Sequence, residues 1–254
     1  MRAFRGRASE ANGLGAKEAP ARCRMCEGHS RPLAVVSGYR FLECAHCGFV
    51  FAPAIRQDPM TRAYEAGRHG PEDGAPDVGW ANLEFLEPAL DRLGRREGLR
   101  ILDFGCGQSH VPAVLRAQGH RVVAVDVAPP LEPHPDRLTG DLLALGLAPD
   151  RFDLAFAFQV CEHLPEPRPF LDELLRLTRP GGLVLVHTDM ETEERASGFA
   201  RWWYVAPPDH CAFFRHRTFE TYLAGTPHRL SWRDPKALLI RVGRDPTNPV
   251  AAAQ

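Results

Sequence analysis

The chain has 254 residues, 44% of them hydrophobic, with 31 basic and 32 acidic side chains and a formal net charge of −1. That length suits one full-sized domain and a small appendage, and the near-neutral balance excludes a global electrostatic drive toward nucleic acid or an anionic membrane. No apolar run approaches the ~20 residues of a membrane span, and no signal-peptide core precedes the first cysteines. Seven cysteines in such a chain argue against a disulfide scaffold, so a reducing, cytoplasmic setting is expected.

Residues 1–21 are rich in Gly, Ala, Arg and Glu without any period and read as a disordered tail. Residues 22–53 read as a separate small unit. Cys23 and Cys26 form one C-x2-C knuckle, and Cys44 and Cys47 form a second after seventeen intervening residues. Four thiolates at this spacing suit a tetrahedral structural zinc ion, and the strand-like stretches on either side of Gly38 predict a hairpin between the knuckles. His29 and His46 lie near enough to be considered, but four cysteines already close the shell. A redox dithiol would explain only one knuckle at a time.

Residues 54–79 read as a linker in which Tyr64 is either a lid over a ligand or an anchor for a loop. Trp80, Leu83, Phe85, Leu86, Leu90 and Leu93 then recur at helical spacing. The segment Leu99–His110 follows, predicting a strand, a glycine turn through Gly105 and Gly107, and a helix entered at Ser109 with Pro112 in its first turn. Its ligand can be read from its charges. Asp103 precedes the glycines and would repel a pyrophosphate, but suits a cationic amine. A second strand ends in Asp126, nineteen residues after Gly107, where a carboxylate can hold ribose hydroxyls. Asp141 offers a third acid near a purine amino group. Amine, ribose and purine together describe S-adenosylmethionine.

At these residues the chain resembles the class I S-adenosylmethionine-dependent methyltransferases. The D-x-G-x-G-x-G loop of that family matches Asp103–Ser109, with serine at the last glycine. Phe152–Leu164 is similar to its fourth strand and the motif after it, and Arg179–Val186 to the turn and fifth strand. The resemblance implies an α/β, Rossmann-like sheet of seven strands, mostly parallel with the last strand antiparallel, over residues 80–243. It implies a cofactor set of Asp103, Gly105, Cys106, Gly107, Asp126, Val127, Asp141, Leu142 and Gln159. Four prolines between Pro129 and Pro135 depart from the family pattern and predict a loop where a helix would normally stand.

Residues 189–216 form an acceptor-side insertion with Trp202, Trp203, Tyr204, His210 and the pair Phe213-Phe214. It resembles a stretch of zinc-ribbon methyltransferases related to the quinol methylases. Trp202, Trp203 and Tyr204 are expected to wall an apolar or aromatic acceptor together with Tyr64. His210 is the preferred general base for a hydroxyl, or else a hydrogen-bonded strut. His163 is either a second base or a cap for the strand end. The expected reaction is O-methylation of a small or medium-sized acceptor, quinol-like or a secondary-metabolite hydroxyl. Two other readings stand: a ribbon that docks RNA or protein through Arg22, Arg24, Arg31 and Arg40, and a non-catalytic cofactor-binding scaffold. Residues 244–254 read as a second disordered tail.

Overall fold

A computed structural model describes residues 21–56, 83–129, 134–191 and 198–244. Tyr64, Trp80 and most of both tails and of the linker lie outside the described residues. Among the described residues, no helix is long and apolar enough to cross a membrane.

The ribbon begins with β1 (Ser30–Val36) and β2 (Tyr39–Cys44), paired antiparallel. Their turn places Ser37 at φ 49° and Gly38 at φ 81°, the left-handed geometry that matches strand twist in a two-residue hairpin. β3 (Val50–Phe51) pairs with β2. A fourth strand, β9 (Ala212–Phe213), comes from the far end of the chain and completes this sheet in the order β1-β2-β3-β9.

The larger sheet holds β4 (Arg100–Phe104), β5 (Arg121–Asp126), β6 (Arg137–Thr139), β7 (Phe152–Phe158), β8 (Thr178–His187), β10 (Arg229–Arg233) and β11 (Ala237–Arg241). Its order is β10-β11-β8-β7-β4-β5-β6. The pairs from β8 to β6 are parallel, while β11 runs antiparallel to both β8 and β10. This is the expected seven-stranded arrangement. The segment Arg179–Gly182, read as a turn, is instead an irregularity within β8, whose pairing with β7 jumps from Phe152↔Thr178 to Leu154↔Leu183.

Both faces of the sheet are covered, which explains why β7 reads as a continuous apolar run. Leu154 and Phe156 point to the face holding α1 (Glu87–Leu93) and α2 (Val111–Ala117). Phe152, Ala155 and Ala157 point to the other face, with α3 (Pro167–Leu177) and α4 (His216–Leu223). That second core runs without a break into the ribbon through Phe41, Phe49, Phe51, Phe213 and Phe214. The predicted helix at residues 83–93 divides into a 3-10 turn (Leu83–Leu86) and α1, with Pro88 in the first turn of the latter. Helix α2 starts at Val111, so Ser109 is not its N-cap. Its hydroxyl accepts from the Val111 N–H at 3.1 Å from one position further upstream. The described residues between β5 and β6 carry no helix, as the prolines require.

Candidate active site

The carboxyl ends of β4, β5 and β7 bring the glycine loop and its acids together, the edge at which open α/β sheets bind ligands. Gly105 and Cys106 donate backbone N–H bonds to the Val125 carbonyl at 2.8 and 3.3 Å, curling the loop over β5. Gly105 has φ 73°, and a Cβ there would stand 2.2 Å from a Val160 methyl. Only glycine fits. The Asp126 carboxylate is pinned by the N–H groups of Gly107 at 2.7 Å and Ala128 at 2.8 Å, which fixes its direction. Each oxygen keeps a second lone pair for a hydroxyl.

Asp103 is buried at 2% exposure, and its carboxyl is pushed up to about 8 by burial and by the nearby charge of Asp126. A desolvated acid held this way favours a cationic partner, so the residues present fit the amine of S-adenosylmethionine. Cys106 is buried and burial raises its thiol, leaving it a small apolar wall. Val127 is half-buried and Leu142 buried beside this edge. Asp141 is exposed and caps the short turn at Leu142–Ala144, accepting from the Leu143 N–H at 3.0 Å. Gly140 N–H bonds the Asp126 carbonyl at 2.9 Å and brings Asp141 close to the end of β5.

Gln159 follows β7 with φ 54°, a left-handed conformation unusual for a side chain larger than Asn. Its backbone N–H reaches the His187 carbonyl at 2.9 Å, and its Oε1 accepts from the Tyr204 hydroxyl at 2.8 Å. The same phenol lies 2.6 Å from Glu162 Oε1 and 3.1 Å from Thr188 Oγ1. One phenolic proton cannot serve both carbonyl-type oxygens. The phenol donates to one of them at a time, and a carboxyl that holds on to its own proton eases the competition. Burial pushes Glu162 in that direction. Gln159 Nε2 in turn donates to His187 Nδ1 at 3.1 Å. His187 is buried against Phe85, and burial lowers its imidazole to about 4, so it stays neutral.

The two candidate bases meet beside Glu162. His163 and His210 have ring centroids 4.8 Å apart. The Nδ1 of His163 bonds the Asp209 carbonyl at 2.9 Å, and that of His210 bonds the Tyr204 carbonyl at 2.6 Å. A carbonyl accepts only, so each Nδ1 carries the proton and each Nε2 the lone pair. His163 therefore caps the insertion and not its own strand end. Burial and the neighbouring His163 lower His210, which keeps it neutral and basic at physiological pH.

The aromatic wall divides. Trp203 is 76% exposed, whereas Trp202 is buried on Phe213 and Tyr204 with centroids 5.7 and 5.2 Å away. Trp202 thus packs in the core behind Tyr204, and Trp203 alone of the three presents its ring to solvent. Tyr204 is also buried, with its hydroxyl spent on the polar network. No local pattern marks Glu162 as the hub of that network, nor His187; only their places just past β7 and at the end of β8 could have pointed to them.

In the ribbon, the four cysteine sulfurs all lie within 4.8 Å of one another, with Cys23–Cys47 at 3.6 Å and Cys26–Cys44 at 3.5 Å. A tetrahedral ion with Zn–S bonds of about 2.3 Å has S–S edges of about 3.8 Å, so the cluster fits zinc. His29 and His46 are exposed and outside it. Of the arginines considered for docking, Arg24 is turned inward onto the carbonyls of Pro53, Ile55 and Pro165, and Arg31 pairs with Glu43.

A seven-stranded sheet with one reversed strand, carrying an acid–glycine loop and a second acid at its carboxyl edge, defines the class I S-adenosylmethionine-dependent methyltransferase fold. The comparisons agree. The family model described as a methyltransferase domain matches residues 80–226, and the chain belongs to that family. It is 35% identical over 125 residues to the ubiquinone biosynthesis O-methyltransferase of Xylella fastidiosa strain 9a5c, covering 42% of this chain and 50% of that one. To the protein of the same name from Caulobacter sp. strain K31 it is 31% identical over 174 residues, covering 57% and 68%. The chain thus spans half the length of the Xylella relative. Among solved structures, it is similar to the methyltransferase in complex with the Haloferax volcanii Trm112 methyltransferase activator. The TM-score there is 0.55 and the identity 16%, covering 74% of this chain and all of that one. It is similar also to the magnesium protoporphyrin IX methyltransferase of Synechocystis PCC 6803, solved with S-adenosylhomocysteine. That match has a TM-score of 0.50 and 15% identity, covering 72% and 94%.

Proposed function

We propose that this protein is an S-adenosylmethionine-dependent O-methyltransferase for a small or medium-sized hydroxyl acceptor, quinol-like or a secondary metabolite, with a structural zinc in its ribbon. The observation that carries the reading is the orientation of His210. Its Nδ1 is locked on a backbone carbonyl and its imidazole kept neutral by burial, beside the Glu162–Tyr204–Gln159 chain that ends just past the carboxyl end of β7. The O-methyltransferase relatives support the choice of oxygen.

When bound, S-adenosylmethionine supplies an electrophilic methyl group on a sulfonium. Asp103 would hold its amine, Asp126 its ribose and Asp141 its adenine side. His210 Nε2 would take the acceptor's hydroxyl proton as the new O–CH3 bond forms and the S–CH3 bond breaks. His163 backs that ring, and Trp203 offers an exposed aromatic face to an acceptor. Orientation and exclusion of water would contribute most of the rate, with the base adding a smaller share. Docking of RNA finds little support in the inward-turned Arg24. The test is turnover of S-adenosylmethionine against a panel of quinols and phenols with His210→Gln as control. Transfer to oxygen that collapses in the variant is expected; transfer unaffected by the variant would refute the role of His210.

A further inference from the structure

The ribbon and the insertion are two expected units, and residues more than 160 positions apart stitch them together strand to strand. Val50 pairs with Phe213 and Phe51 with Ala212. Cys211, next to His210, is tied in both directions: its carbonyl accepts from Ala52 N–H at 3.1 Å, and its N–H donates to the Glu162 carbonyl at 2.8 Å. Phe41 packs edge-on against Phe199 and Phe213, at 5.3 and 5.8 Å, and Phe49 packs against Phe214 at 5.1 Å. Thr218 Oγ1 donates to the carbonyl of Cys47, itself one of the four clustered cysteines, at 3.0 Å, while accepting from Arg215 N–H at 3.1 Å. Arg215 spans Glu43 of β2 at 2.9 Å and Glu191, beyond β8, at 2.6 Å. On the other flank Arg168 donates to the Met25 carbonyl between the first two cysteines, and Arg24 to Pro165.

Every one of these anchors ends on the acceptor side: on the segment after β7, on the insertion, or on α3 and α4. The backbone hydrogen bonds of the cofactor loop go to different partners, the Val125 carbonyl and the Asp126 carboxylate, and the loop meets the segment after β7 through the Val160 side chain beside Gly105. The polar anchors of the ribbon thus fall on one half of the site and those of the glycine loop on the other, over a core that both share.

We infer that the ribbon positions the acceptor half of the site, so that the metal state of its cysteines sets the placement of Tyr204 and His210 without setting the cofactor loop. This rests on the proposed zinc and on the proposed acceptor role of the insertion. Arg215 and Thr218 are the positioning residues of the link. A metal ion that fixes the knuckles fixes Cys47 and β2, and through them Thr218, Arg215 and β9. Loss of the ion frees the edge against which β9 pairs.

The experiment is hydrogen exchange by peptide on the full chain, as isolated, after chelation, and as Arg215→Met and Thr218→Val, with zinc content and S-adenosylhomocysteine affinity measured on each. Chelation is expected to speed exchange across residues 199–216 at least tenfold, to leave residues 100–126 unchanged, and to keep the affinity within about threefold. The two variants are expected to act in the same direction with zinc retained, and to move the His210 imidazole titration toward 6.5 by NMR. Equal loosening of both segments with loss of S-adenosylhomocysteine would overturn the inference, as the ribbon would then be a staple for the whole fold. So would unchanged exchange at 199–216 in all forms. A chain isolated without zinc would sink the zinc reading alone, and the two variants would still decide whether the link operates.

Discussion

Asp103→Asn should make the protein more stable and unable to hold its cofactor, with both effects tied to pH. The native carboxyl is raised from 3.8 to about 8, chiefly by burial. Between those values the native state keeps a proton that the unfolded chain has released, so stability falls as pH rises, by up to about 1.4 kcal/mol per pH unit for this one group. At pH 7 the accumulated cost is on the order of 4 kcal/mol. Asparagine has the same shape and no ionisation to suppress, so the variant escapes most of it. The stability difference between variant and wild type should grow from pH 4 to about pH 8 and level off above. For a chain of this size it amounts to roughly ten degrees in melting temperature. A cationic amine set against Asp103 restores the carboxylate, so S-adenosylhomocysteine binding at pH 7 should release roughly one proton in wild type. Melting curves across pH, and calorimetric titration in buffers of differing ionisation enthalpy, read both halves. A difference that does not vary with pH, or an Asn variant that binds with wild-type affinity, would refute the argument.

His210→Gln should cost about 10²- to 10⁴-fold in kcat for a hydroxyl acceptor and spare S-adenosylhomocysteine affinity. Because burial lowers His210, the wild-type rate should fall only at acid pH, below the ordinary histidine value of 6.5, and that acid limb should vanish in the variant. Gly105→Ala places a methyl 2.2 Å from Val160 in a backbone conformation at φ 73°, so calorimetry should find cofactor binding lost while circular dichroism retains the sheet. Cys23→Ser or Cys47→Ser should lower zinc content by metal analysis and destabilise the ribbon. Tyr204→Phe strips the Glu162–Gln159 chain of its bridging hydroxyl, and should cost about 1–3 kcal/mol in chemical denaturation because Glu162 is fully buried.

The cofactor half was legible because its signals are local. Asp103, Gly105 and Gly107 fall within five consecutive residues, and the strands on either side declare themselves by apolar runs that the two-sided burial of β4, β5 and β7 demands. The cysteine knuckles were legible for the same reason. The acceptor half was not. Tyr204 meets Glu162 and Gln159 across 42 and 45 residues, and no short-range pattern encodes such a meeting. Trp202 and Trp203 are neighbours in irregular chain, where no period tells which faces the core. β9 is two residues long, too short for any alternation to show, and yet it joins the ribbon to the insertion.

This division has a physical cause that bears on how the site works. A βα loop binds what its own strand delivers, so the cofactor edge depends on the sheet, and the sheet's core is continuous through Leu102, Ala155 and Val184. Among its described residues the insertion has only a 3-10 turn (Phe199–Arg201) and the two-residue β9 with which to bury five of the six aromatic side chains between Phe199 and Phe214. It draws order from what it leans on: Glu162 and Thr188 at one end through Tyr204, Glu43 and Cys47 at the other through Arg215 and Thr218. The thirty-odd residues of the ribbon are themselves too few to build a core, and sharing Phe41, Phe49 and Phe51 with Phe213 and Phe214 gives both units one they lack separately. The base proposed for the chemistry, His210, sits one residue from that shared core. On the inference drawn above, its placement follows the four clustered cysteines in a different part of the chain, while Asp103 and Asp126 take their placement from the ends of β4 and β5.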